Sequence, residues 1–153
     1  MKSNQDDYLK YWKVIRQFTK IKYEVSQADL DMLMFLYSEK YFDKYKFEEY
    51  EKIFSWDRLR FDSLKRRGWI ELFRSGEKKR SLKRTKPIYQ LTNKAISMIE
   101  SIYRKLSGEE IPVSPSNNNK IFAKNVSYLD NVYKDMILKM NTVIKEKRNE
   151  RYL

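Results

Sequence analysis

Along this chain apolar residues recur at three- and four-residue steps in long stretches and alternate in two short ones, a pattern that predicts helices around one hairpin. From Asp6 to Ile21, Tyr8, Tyr11, Trp12, Ile15 and Phe18 mark a helical stripe, which Leu9 and Val14 widen beyond a single core contact. Ser26 opens a second helix, where Ser26 and Asp29 make a capping box and Leu30, Leu33, Met34 and Tyr37 form one face. "KFEEYEKIF" reads as a short third helix with Phe47, Tyr50, Ile53 and Phe54 inward. Ser55 is the expected N-cap of a fourth helix that runs to Arg67 and stops at Gly68, with Phe61 and Leu64 facing the core beside Trp56 or Leu59. "WIELFR" alternates as a strand, "SGEKKRSLKRTK" turns, and "PIYQLT" returns, with Pro87 placing the second strand's start at a sheet edge. Thr92 caps a fifth helix whose apolar side carries Ile96, Ile99, Ile102, Tyr103 and Leu106, and Gly108 closes it.

Beyond that point the pattern changes. "SGEEIPVSPSNNNK" gathers Gly108, Pro112, Pro115 and a run of asparagines, the composition of a linker. A final helix follows, opened by Ser127 with Asp130, with Leu129, Val132, Tyr133, Met136, Ile137, Met140, Val143 and Ile144 on one stripe. The expected organisation is one domain over 1–106, a linker over 107–125 and an amphipathic helix over 126–153 that serves dimerisation or partner docking. The stripe on that last helix needs a cover, either its own domain, the first helix of a second subunit, or another protein.

Composition narrows the functional classes. The 153 residues contain neither Cys nor His, which removes disulfides, thiolate metal sites, cysteine nucleophiles and the usual proton shuttle. No cofactor, no metal site and no catalytic residue are expected. Hydrophobic residues at 41% supply a core despite 35% charged residues. The abundance of Lys, Asn, Tyr, Ile and Phe fits an AT-rich bacterial or phage genome and carries no function in itself. No stretch reaches the roughly 18 uncharged apolar residues of a membrane span. The expectation is a soluble protein of the cytoplasm, or of the host cell if phage-encoded.

The net charge of +12 is unevenly placed. Ser26 to Phe54 holds seven acids against four lysines, a net charge of −3. Arg74 to Lys86 holds seven bases against Glu77 alone, +6. Ser55 to Arg67 adds +3, from five bases against two acids. Charge spread for solubility would be more even, whereas a phosphate-binding surface concentrates it. The competing reading is a solvated basic loop.

The order of four helices, a hairpin and a fifth helix resembles a winged helix-turn-helix domain of the MarR type over about Asp6 to Leu106. The resemblance is carried by "LDMLMFLY", by "SWDRLRFDSLKRRGWIELF" with Leu64, Arg66, Arg67 and Gly68 closing the recognition helix, and by Leu91 and Thr92 ending the wing. It implies a mainly α fold with a two- or three-stranded β-wing, long terminal helices, double-stranded DNA as partner and a homodimer built by those terminal helices. It also marks Arg84 as the best match to the arginine that the family's wing carries.

On physical grounds a thirteen-residue helix, roughly 20 Å long, can lie in a major groove. Its expected outward residues are Ser55, Arg58, Arg60, Ser63 and Lys65, with Arg58 and Arg60 reading bases and Lys65, Arg66 and Arg67 anchoring the helix end. Lys78, Lys79, Arg80, Lys83 and Arg84 of the wing would meet the minor groove or its flanking phosphates. The alternative for Arg58 and Arg60 is an exposed helix whose arginines pair with Asp62 and the acidic third helix. The expected dimer contacts are Tyr8, Trp12, Ile15, Leu129, Val132, Met136, Ile137 and Met140.

Two non-enzymatic functions fit these residues. One is a dimeric regulator of transcription whose recognition helices address half-sites about one helical turn apart. The other is a structural or assembly protein, for example of a phage particle, that uses the same domain to dock protein or nucleic acid. A nuclease would need a carboxylate cluster, and three scattered glycines make no phosphate loop.

Overall fold

The computed structural model describes residues 8–76, 86–110 and 128–151. Within them the protein is mainly helical, with six helices and one small antiparallel sheet: α1 (Tyr8–Tyr23), α2 (Gln27–Tyr37), α3 (Lys44–Glu51), α4 (Arg60–Arg66), β1 (Ile70–Arg74), β2 (Ile88–Leu91), α5 (Asn93–Ser107) and α6 (Tyr128–Arg151). No described helix is long and apolar enough to cross a membrane. The chain forms two compact units, one of residues 26–99 and the other of 1–25 with 100–153, so that α5 contributes its first half to one and its second half to the other. In this grouping α1 falls with α6.

In the unit of residues 26–99 the local signals behave as their chemistry requires. Ser26 caps α2, its Oγ accepting from the Asp29 amide at 3.1 Å, and Asp43 caps α3 by accepting from the Lys46 amide at 2.8 Å. Gly68 ends α4 with a φ of 82°, and the Trp69 amide reaches back to the Leu64 carbonyl at 2.9 Å. This left-handed turn is the reason for a glycine there, because nothing within 4 Å would obstruct a Cβ.

The strands pair as Ile70 with Leu91, Glu71 with Gln90, Leu72 with Tyr89 and Arg74 with Ile88, leaving a bulge at Phe73. Phe42 adds a single bridge to Tyr89, its amide and carbonyl both engaged. Thr92 closes the hairpin's base, donating to the Gly68 carbonyl at 2.7 Å while its oxygen accepts from the Ala95 amide at 3.3 Å as cap of α5. The core of this unit holds Leu30, Met32, Leu33, Leu36, Phe47, Phe61, Leu64, Trp69 and Ile70. Edge-to-face contacts run from Phe47 to Phe61 and on to Tyr89, tying α3 and α4 to β2.

The α3 expectation needs one correction. Ile53 lies beyond the helix and is exposed, and the buried residue at its end is Glu51. Tyr103, expected on the apolar side of α5, is likewise exposed.

In the other unit α1 packs on α6. Val14, Ile15 and Phe18 of α1 and Ile137, Met140 and Ile144 of α6 are buried. Between the two helices lies a cavity of about 260 Å³ lined by Tyr11, Val14, Met136, Met140 and Val143 with Lys10 and Lys139. Glu24 ends α1 at φ 54°, with the Val25 amide bonded to the Lys20 carbonyl at 3.1 Å, a glycine-type stop made without glycine.

Candidate nucleic-acid interface

The predicted fourth helix is shorter than expected. It begins at Arg60, not after Ser55, and its seven residues span only about 10 Å. The reason is local. The Asp57 carboxylate accepts from the Leu59 amide at 2.9 Å, holding residues 57–59 in a turn that competes with helix. Ser55 provides no cap; its carbonyl oxygen accepts from Arg60 Nη1 at 3.0 Å.

Arg60 is the largest correction. Expected outward as a base-reading residue, it is only 4% exposed. Its Nε donates to Asp29 Oδ1 at 3.0 Å, its Nη1 also donates to Glu51 Oε1, and its Nη2 lies 3.5 Å from Ser55 Oγ. One guanidinium thus joins the first turn of α2, the end of α3 and the start of α4. Arg67 adds a second bond to the same aspartate, at 3.2 Å on Oδ2. Burial would lower the pKa of Arg60, but the bonds from Glu51 and Asp29 outweigh it and raise it, so the group stays cationic. Glu51 is equally buried, and its Oε2 has no hydrogen-bond partner among the described residues. The alternative of pairing with the acidic third helix thus describes Arg60, although the pair is buried and not on the surface.

The other expected contact residues of this segment remain accessible. Ser55, Arg58, Lys65 and Arg66 are exposed and Ser63 is half-buried. Lys65 Nζ lies 5.5 Å from the Tyr89 ring centroid, which leans it toward the hairpin. Opposite that exposed side, Phe61 and Leu64 are buried as expected. Neither Trp56 nor Leu59 joins them: they are 72% and 60% exposed, because Arg60 occupies the inward position. Lys78, Lys79, Arg80, Lys83 and Arg84 lie outside the described residues.

The dimer residues divide in the same way. Ile15, Ile137 and Met140 are buried within the chain, a correction to their role as intermolecular contacts, and Trp12 is half-buried. Leu129, Val132 and Met136 remain exposed, joined by Leu138. The Tyr8 side chain falls outside the described part of the structure.

No group of three or more metal-binding side chains occurs among the described residues. The chemistry available to α4 and its flanks is that of cations and hydroxyls beside two exposed carboxylates, Asp57 and Asp62: charge-assisted bonds to anionic oxygens and bidentate donation by Arg58. No protein-family model, no curated protein and no solved structure matches the chain.

The residues that sequence reasoning missed are Asp29 and Glu51, which hold Arg60. Their signal was the acidic excess of residues 26–54, which supplies carboxylates to a neighbouring basic segment.

Proposed function

We propose that the protein is a dimeric DNA-binding protein of winged-helix type, a regulator of transcription, with α4 as recognition helix and the 74–86 segment as a basic wing. The observation that carries this reading is the outward set Arg58, Lys65 and Arg66 on and beside a helix whose seat is fixed by the buried Arg60. Gly68 leads from that helix directly into the antiparallel pair β1 and β2, which flanks the +6 segment. Rigid placement of a few cations is what groove recognition needs, since phosphate contacts set register and a forked donor discriminates bases.

Binding to duplex DNA across a salt series tests it. With about six phosphates neutralised per subunit, log affinity falls against log salt with a slope near −5. Absence of salt-dependent binding, or no loss on replacing Lys78, Lys79, Arg80 and Arg84 together by alanine, overturns the reading.

The assembly-protein reading draws on a different observation, the exposed Leu129, Val132 and Met136 along one side of α6. A homodimer would cover them too. Mass measurement in solution separates the two: a dimer supports the regulator, and a stable monomer leaves that stripe for another protein.

A further inference from the structure

Three of the most exposed large apolar side chains in the described residues fall within seven positions: Ile53, 64% exposed, Trp56 and Leu59. They lie on the loop between α3 and α4. Each could have been polar at no cost to the core, since Phe61, Leu64 and the buried Arg60 already fill the inward face. Leu59 already has helical backbone angles, so the helical spacing places it on the same side as Asp62, Ser63 and Arg66. Trp56 stands two residues before the exposed Arg58. The surface therefore interleaves apolar groups with charges, with Arg58 and Arg66 set beside the exposed carboxylates Asp57 and Asp62. A wholly apolar partner would leave Arg58 and Arg66 unpaired, and a wholly anionic one would leave Trp56 and Leu59 with nothing to cover them. The major groove of duplex DNA offers both chemistries side by side: phosphates and base acceptors for the cations, and the 5-methyl of thymine for the apolar side chains.

We infer that Trp56 and Leu59 are specificity residues that read thymine through its methyl group, in a site where the neighbouring arginines supply charge. This inference rests on α4 as the recognition helix, and it identifies the preferred ligand as duplex sites carrying thymine opposite this loop. Ile53, further from the helix, adds apolar area at the rim.

The test removes one methyl at a time. Duplexes enriched by the full-length protein from a random pool are resynthesised with deoxyuridine in place of single thymines, which leaves every hydrogen-bonding group and phosphate unchanged. One or two positions should lose about fourfold in affinity per methyl. The double variant Trp56→Ala, Leu59→Ala should bind the thymine duplex about tenfold more weakly and no longer distinguish it from the deoxyuridine one. Both side chains are exposed, and thermal unfolding confirms that the variant is folded. Equal binding of thymine and deoxyuridine duplexes overturns the inference and leaves DNA binding standing, as does discrimination that survives in the double variant. Salt-dependent binding with no enriched sequence does the same. No duplex binding at any salt overturns both, and the loop is then a surface for a protein.

Discussion

Among the described residues each compact unit buries one cation, and the two are held in different ways. In residues 26–99 the cation is Arg60, which reaches two carboxylates on two other helices and a backbone carbonyl besides. In the other unit it is Lys105, 3% exposed, whose Nζ donates to Ser101 Oγ and, at 2.9 Å, to Glu110 Oε1, with the Phe18 ring 5.2 Å away. Ser101 in turn donates to the same Glu110 oxygen at 2.8 Å, and Arg104 Nε to the other at 3.0 Å. The lysine and its hydrogen-bonding partners lie within ten residues along the chain, with only the Phe18 ring contact coming from another helix, whereas Arg60 hydrogen-bonds residues 31 apart. A planar fork with five donors can cross-link elements; a single ammonium pins a local turn. The first cation sets the orientation of a proposed recognition helix, and the second fastens the end of α5 to residue 110.

The sharpest way to break this comparison is to remove the fork. Arg60→Ala leaves the Glu51 carboxylate, 2% exposed, without its counter-charge, and should cost about 3–5 kcal/mol in chemical denaturation. Arg60→Met, which fills the space without charge, is expected to do the same, because the orphaned carboxylate is the source of the cost. Adding Glu51→Gln to Arg60→Met should recover part of the loss. A cost below about 1 kcal/mol for Arg60→Ala would mean that the buried network orients nothing.

Arg58, two positions earlier and exposed, is the control for contact without orientation. Arg58→Ala should leave stability within about 0.5 kcal/mol and weaken binding to an enriched duplex by about 1–3 kcal/mol. Denaturation and anisotropy titration on the same preparation separate the two effects. Stability loss without binding loss would exchange the roles assigned to the two arginines.

The lysine cluster predicts a pH dependence. Burial pushes the Glu110 carboxyl up, but the hydrogen bonds from Lys105 and Ser101, the lysine charge and Arg104 prevail and hold it down at about 2. For Lys105 burial wins and lowers its pKa despite the bond to Glu110, since the lysine is sealed off and the carboxylate is about a third open to solvent. A carboxyl with a folded-state pKa below its unfolded value contributes stability above about 4.5 and loses it as pH falls toward about 2. With the carboxylate's exposure screening the interaction, the contribution is on the order of 1 kcal/mol. Glu110→Gln should therefore flatten the stability curve between those pH values; parallel curves for both proteins would remove the cluster from any part in acid unfolding.

Much of the fold is legible in local chemistry. Gly68 and Gly108 both take φ 82°, and Ser26 and Thr92 cap the helices they precede. β1 and β2 both fall inside the expected "WIELFR" and "PIYQLT". These features depend on residues close in sequence. What was not legible depends on distant partners. Arg60 has the composition of a surface residue and becomes buried only because Asp29 and Glu51 arrive from elsewhere. That burial displaces Trp56 and Leu59 outward, and the Asp57 turn delays the helix. The N-cap of the fourth helix therefore shifted by four residues, from Ser55 to Leu59, while its stop at Gly68 did not shift. Glu24, in a left-handed conformation without being glycine, gave no sequence signal at all.

Asp29 offers the finest discrimination, because one carboxylate receives two arginines in different surroundings. Oδ1 faces the buried Arg60, and Oδ2 faces Arg67, whose side chain is 34% exposed. If burial governs how much such pairs matter, Arg67→Ala should cost only about 0.2–1 kcal/mol, against the several expected for Arg60→Ala. Water can replace Arg67 at Oδ2, whereas beside Glu51 the Asp57 amide, 3.1 Å from Oε1, is a neutral donor that cannot supply the fork's charge. The prediction has a salt signature too. The Arg67 contribution should shrink by half or more between low and molar salt, and the Arg60 contribution should hold, since screening ions reach only the exposed pair. Equal costs and equal salt dependence for the two arginines would mean that Asp29, not the fork, is the element on which the seat of α4 depends.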